Sequence, residues 1–185
     1  HLVLRGERAI ANGWFQRAAR TLDGLELCPE HGWLDALLGY MAMLEGDQAR
    51  ARELAVRARK LGRRLAVVSL EMFALSVEGV ALVNEGEVAD GMRRLDEATA
   101  AALAGEYEEI VPAGWTCCLL LNACERVRDY ERAGEWCNKV EEFGGRRKIN
   151  FASGACRAHY GAVLTWQGRW PEAERGLTAA TEYLL

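Results

Sequence analysis

The residues best able to do chemistry are six cysteines, three histidines and two runs of cations. Cys28-Pro-Glu-His31 sets a thiol and an imidazole on a C-x-x-H spacing. A structural zinc site needs four such ligands, and no C-x-x-C pair is available to complete one. Cys117-Cys118 is a candidate nucleophile or redox pair. On a helix, however, neighbouring side chains point about 100° apart, and adjacent cysteines do not readily bridge. Cys117 and Cys124 share one helical face at i, i+7, so packing as small buried hydrophobes is the stronger reading. Ser69, Ser76 and Ser153 lie in no nucleophile-elbow motif, and no G-x-x-x-x-G-K-[ST] phosphate loop occurs. Glu106, Glu108 and Glu109 precede Pro112, where a solvated helix N-terminus suits acids better than a catalytic pair does. No enzymatic constellation emerges, and none of these residues calls for a metal or a cofactor.

The cations Arg57, Arg59, Lys60, Arg63 and Arg64 close one helical segment, and Arg146, Arg147 and Lys148 fall in an expected loop. Positive charge near helix C-termini is stabilising, which is the simpler account; phosphate contact is the alternative. A net charge of −4 and a pI near 5.5 argue against a nucleic-acid footprint. With 50% apolar and 27% charged residues among 185, the composition is that of a folded domain rather than a disordered segment. No apolar run approaches the ~20 residues of a membrane span. The stretch around Leu65–Val83 comes nearest and is broken by Ser69, Glu71, Ser76 and Glu78. No secretory leader is recognisable, and reduced thiols fit a cytoplasmic setting. The abrupt ends, His1-Leu-Val-Leu and Tyr183-Leu-Leu, read as those of a piece of a longer protein.

What would position any site is a repeat carried by glycine. The chain holds 19 glycines and only 3 prolines, which is not a linker composition. Gly13, Gly46, Gly86 and Gly168 are each preceded seven residues earlier by Gly6, Gly39, Gly79 and Gly161. Five residues after each stands a small residue: Ala18, Ala51, Gly91 and Ala173. A fifth copy centred on Arg128 has lost both glycines, with Leu121 and Arg128 in their places, so its hairpin is expected to be the least regular. The centres are 33, 40, 42 and 40 residues apart. Each copy reads as a helical hairpin. Trp33, Leu34, Leu37, Leu38, Met41 and Leu44 have a helical apolar period, and glycine then ends the helix in the left-handed C′ conformation. The earlier glycine lies inside the first helix, where it permits close approach of the small residue past the turn.

Small, turn, small and apolar residues at these offsets resemble the tetratricopeptide (TPR) pattern over nearly the whole of residues 1–185. The expected fold is all-α, a right-handed solenoid of about five hairpins with turns near 13, 46, 86, 128 and 168. Ten helices are expected: 2–12, 14–26, 32–45, 48–61, 65–85, 88–104, 110–127, 130–143, 150–167 and 170–183. The repeat is longer than the usual 34 residues, with the excess assigned to longer helices or to loops at Gly62–Arg64, Gly105–Pro112 and Gly144–Lys148. Apolar ends such as Leu2-Val3-Leu4 are expected to be exposed.

The stretch from Gly114-Trp-Thr-Cys-Cys through Asp129-Tyr-Glu-Arg-Ala-Gly-Glu-Trp-Cys137, with Leu164-Thr-Trp-Gln-Gly-Arg-Trp-Pro-Glu-Ala-Glu, is more distinctive. It resembles TPR segments of bacterial, especially actinobacterial, LuxR-type transcriptional regulators related to the maltose regulator. That resemblance implies a non-catalytic sensor segment that binds a protein or small effector, with a nucleotide-binding module before it and a helix-turn-helix after it. Similar segments occur in bacterial nucleotide-cyclase and ATPase signalling proteins, where the segment would be a scaffold contacting its neighbouring domains. In a TPR stack the first helix of each hairpin lines the concave groove. Here that places Trp33, Tyr40, Met43, Val80, Val83, Asn84, Asn122, Glu125, Arg126, His159 and Trp166 on it. Apolar residues with a few polar anchors suit an amphipathic peptide or a small ligand. They do not form the Lys/Asn/Arg array that clamps a terminal carboxylate. No nucleic acid or membrane is expected as a direct partner.

Overall fold

The computed structural model describes residues 7–147 and 151–184. The fold is all-α: the described residues form nine helices and no strand. In order these are α1 (Arg8–Leu22), α2 (Pro29–Glu45), α3 (Gln48–Arg64), α4 (Val68–Glu85) and α5 (Val88–Ala104). There follow α6 (Ile110–Val127), α7 (Tyr130–Arg147), α8 (Phe151–Trp166) and α9 (Trp170–Leu184).

Four hairpins form where the glycine pattern placed them. Gly46, Gly86 and Gly168 take φ of 88°, 94° and 75°, conformations without a Cβ penalty only for glycine. After the first turn, Gly46 N–H donates to Met43 O and Asp47 N–H to Ala42 O, at 3.2 and 2.9 Å. This is the paired closure that satisfies the last carbonyls of a helix. Gly86/Glu87 and Gly168/Arg169 repeat it.

The inner glycines let the paired helices touch backbone to backbone. A Cβ built on Gly79 would lie 2.9 Å from Gly91 O, and one on Gly91 would lie 2.5 Å from Gly79 O. Gly39 faces Ala51 O at 3.1 Å in the same sense, whereas Gly161 is covered by the Leu177 side chain.

The first hairpin is not formed. α1 runs through Gly13, and the chain turns instead at Asp23-Gly24, where Gly24 has φ 76°. A glycine within a helix costs only about 1 kcal/mol and does not by itself end one. Nothing lies within 4 Å of the Gly13 Cβ position, so no partner helix requires it. Gly6, the basic Lys148 and the apolar Leu2-Val3-Leu4 lie outside the described residues, as do the side chains of Arg146, Arg147, Ser153 and Tyr183.

The hairpin at Arg128 is the least tightly paired of the four, as its lost glycines led one to expect, although its turn is closed in the usual way. Arg128 takes the left-handed conformation (φ 60°) and makes the same closure, Arg128 N–H to Glu125 O and Asp129 N–H to Cys124 O. The turn is therefore regular. It is the pairing that loosens: with Leu121 in place of the inner glycine, α6 and α7 pack less extensively than α2–α3 or α4–α5. The long repeat comes mostly from long helices, since Gly62-Arg63-Arg64 continues α3. Gly62 there lies against the Glu71 backbone, 2.7 Å from its built Cβ.

Each helix packs on the next, and α2, α4, α6 and α8 also touch in series. In the other row α5 meets α7, while α3 and α5 make no such contact. α4, flanked by α2, α3, α5 and α6, is buried almost all round, with Leu70, Phe73, Ala74, Val77, Val80 and Ala81 at 1% exposure or less. That explains its lack of a polar face.

Candidate functional site

Six of the eleven residues assigned to the groove gather toward the C-terminal ends of α4, α6 and α8. The three helices end in the same direction because each turn is closed alike, so their last-turn side chains align. Arg126 donates to Asn84 Oδ1, and Asn84 Nδ2 donates to Gln48 Oε1 at 3.1 Å. Gln48 in turn donates to Met43 O at 3.3 Å. This polar ladder joins the ends of α2, α4 and α6 through the start of α3. Further along the row, His159 Nδ1 lies 3.1 Å from Glu125 Oε2, linking α8 to α6.

Between these groups opens a cleft of about 330 Å³ lined by Asn122, Glu125, Arg126, Arg128, Tyr130 and Trp166. Trp166 is 62% exposed, with the Arg128 guanidinium 5.6 Å from its ring centroid, within the range of cation–π attraction. The cleft thus offers an exposed indole, two guanidinium groups and an amide, with one carboxylate already held by His159. That set can pair with a carboxylate beside an apolar or aromatic group. It holds no nucleophile next to a base.

Arg128 and Tyr130 are the residues of this cleft that positions on the first helices alone could not find. They sit in the turn and at the start of the second helix. The signal for Arg128 was present in the aligned repeats, where it alone replaces the turn glycine.

The other five assigned residues go elsewhere. Val80 is 1% exposed and Met43 8%; both belong to the main core cluster. α4 is covered on both sides, so Val80, one turn before Asn84, is enclosed by its neighbours. Tyr40 is half-buried and stacks on Trp115, ring centroids 5.4 Å apart, so that α2 reaches α6 across α4. Trp33 extends that cluster through Phe73, which lies 5.9 Å from both Trp33 and Trp115. Val83 is 7% exposed and also packs in the core.

The cysteines and cations resolve by burial and partner. Cys117 and Cys124 are buried in the core, and burial pushes both thiols up to about 12, far from a nucleophile's range. His31 Nδ1 lies 3.3 Å from Cys28 N–H and 3.2 Å from the Cys28 thiol, while Nε2 lies 3.2 Å from Leu22 O. Both ring nitrogens are engaged in tying the start of α2 to the end of α1. In the basic run, Arg57 pairs with Asp35 at 2.9 Å, Arg59 with Glu78 at 2.9 Å, and Arg63 with Glu71 at 2.6 Å. Glu106, Glu108 and Glu109 are exposed around Tyr107, whose hydroxyl contacts Ala98 O and Thr116 Oγ1 at 3.3 and 3.1 Å.

No group of three or more metal-ligating residues occurs among the described residues, and no described helix is long and apolar enough to cross a membrane. No family model matches the chain, and neither the curated proteins nor the solved structures contain a match to it.

Proposed function

We propose that this chain is a non-catalytic binding module, a TPR-like helical solenoid whose cleft at the ends of α6 and α8 captures an acidic segment with an apolar or aromatic neighbour. The closer approach along α2, α4, α6 and α8 than along the other row supports curvature with that row inside. The stacking of Tyr40 on Trp115 across α4 supports the same curvature. The single observation that carries the reading is Arg128. It holds a left-handed backbone at the one aligned turn that lacks glycine, and its guanidinium lies over an exposed tryptophan. A non-glycine residue there costs about 1–2 kcal/mol, and such strain is retained where a side chain has a task. Exposed Trp and Arg are also the residue types that dominate binding energy at interfaces.

On its resemblance to LuxR-type regulators, the module would serve as the sensor segment of a bacterial transcriptional regulator in the cytoplasm. The groove's mixed apolar and cationic lining is compatible with that role.

The test is selection from a random peptide library on the immobilised chain, followed by titration of the winners while observing the Trp166 indole N–H. Peptides carrying Asp or Glu beside an apolar residue are expected, with the Trp166 signal shifting on binding. Winners without acidic residues, or winners that leave Trp166 unmoved, contradict it.

A further inference from the structure

A second cleft lies at the other end of the molecule, between the end of α1, the start of α2 and the end of α3. It measures about 590 Å³, within the range of small-molecule sites. Its wall is largely leucine: Leu22, Leu25, Leu34 and Leu61, with Leu25 57% exposed. Over that wall stand Lys60 and Arg64. Their neighbours in the basic run, Arg57, Arg59 and Arg63, are all spent on acids of α2 or α4. No acid engages Lys60 or Arg64 among the described residues. Of the two acids lining the cleft, Asp35 is held by Arg57, which leaves Asp23 against two uncommitted cations.

Leucines and two uncommitted cations lining one cleft define the occupant by charge complementarity. We infer that this cleft binds a small anionic amphiphile, a carboxylate-headed molecule with an unbranched apolar tail. Its head sits on Lys60 and Arg64 and its tail lies along Leu22, Leu25, Leu34 and Leu61. The cleft shares no lining residue with the one formed by Asn122, Arg126 and Trp166, so this site stands or falls independently of the peptide-binding reading.

The probe is decanoate, kept below its micelle-forming concentration and titrated calorimetrically into the full chain. Decanol and decyltrimethylammonium are run alongside. Decanoate is expected to bind about tenfold or more tightly than decanol, with no binding of the cationic amphiphile. Lys60→Glu/Arg64→Glu should lose decanoate binding, and Lys60→Gln/Arg64→Gln, which places no new charge at the helix end, should weaken it about tenfold. Because the cleft at Trp166 also accepts a carboxylate beside an apolar group, the titrations are repeated in Arg126→Ala/Arg128→Gly, where decanoate binding at Lys60 and Arg64 should persist; its loss there overturns the proposal. Equal affinity for decanoate and decanol overturns the proposal, as does a Gln variant that binds like wild type.

Discussion

Single residues carry the sharpest contrasts in this molecule. Arg128 occupies a backbone conformation that glycine would adopt without strain, and its three counterparts are Gly46, Gly86 and Gly168. Arg128→Gly should therefore raise stability by about 1 kcal/mol, read as a higher denaturant midpoint at unchanged slope, while weakening capture of acidic peptides. A variant that loses stability would mean the stacking on Trp166 outweighs the backbone strain. The cysteines make an opposite case, in which reactive residue types are silenced by their surroundings. With their thiols pushed up to about 12 by burial, Cys117 and Cys124 should escape alkylation by iodoacetamide at pH 8 in the native state. Both should react after denaturation, and mass spectrometry of the digested protein distinguishes the two.

At the scale of elements, glycine is used in three ways, and only two were legible in the sequence. Turn glycines and close-approach glycines recur at fixed offsets because left-handed backbone and helix contact each exclude a side chain. That is why eight helix spans and four turns could be read from spacing alone. Gly13 shares the offset without either constraint, so the first hairpin was read where a continuous helix forms. The two kinds part under mutation. Gly91→Ala drives a Cβ to within 2.5 Å of Gly79 O and should cost about 2 kcal/mol by overpacking. Gly13→Ala and Gly134→Ala meet nothing within 4 Å in mid-helix and should each gain about 0.5–1 kcal/mol. Thermal denaturation of the three variants gives the comparison directly. The groove was only half legible for a related reason. Face assignment by position holds where a helix has one open side, as at the ends of α6 and α8. It fails on α4, whose neighbours close over Val80.

Over the whole molecule, the apolar core is tied laterally by ionic links between hairpins. Glu78 on α4 is nearly buried and lies between Arg59 on α3 and Arg94 on α5, at 2.9 and 3.1 Å. Glu78→Ala leaves two guanidinium groups partly buried without their shared acid. Since each keeps about a fifth of its side-chain surface exposed, the expected loss is about 3 kcal/mol, at the low end for a broken buried pair. Chemical denaturation should show it as one cooperative transition at lower denaturant.

The proposed role of the scaffold is to present the cleft at Asn122, Arg126, Arg128 and Trp166. The most direct measurement is the affinity of a selected acidic peptide for wild type and for Asn122→Ala/Arg126→Ala, with Arg50→Ala on the exposed surface of α3 as control. Both variants are first shown to keep the wild-type helical content. The double variant should lose about tenfold or more in affinity, and Arg50→Ala should change nothing. A double variant that binds like wild type would contradict it.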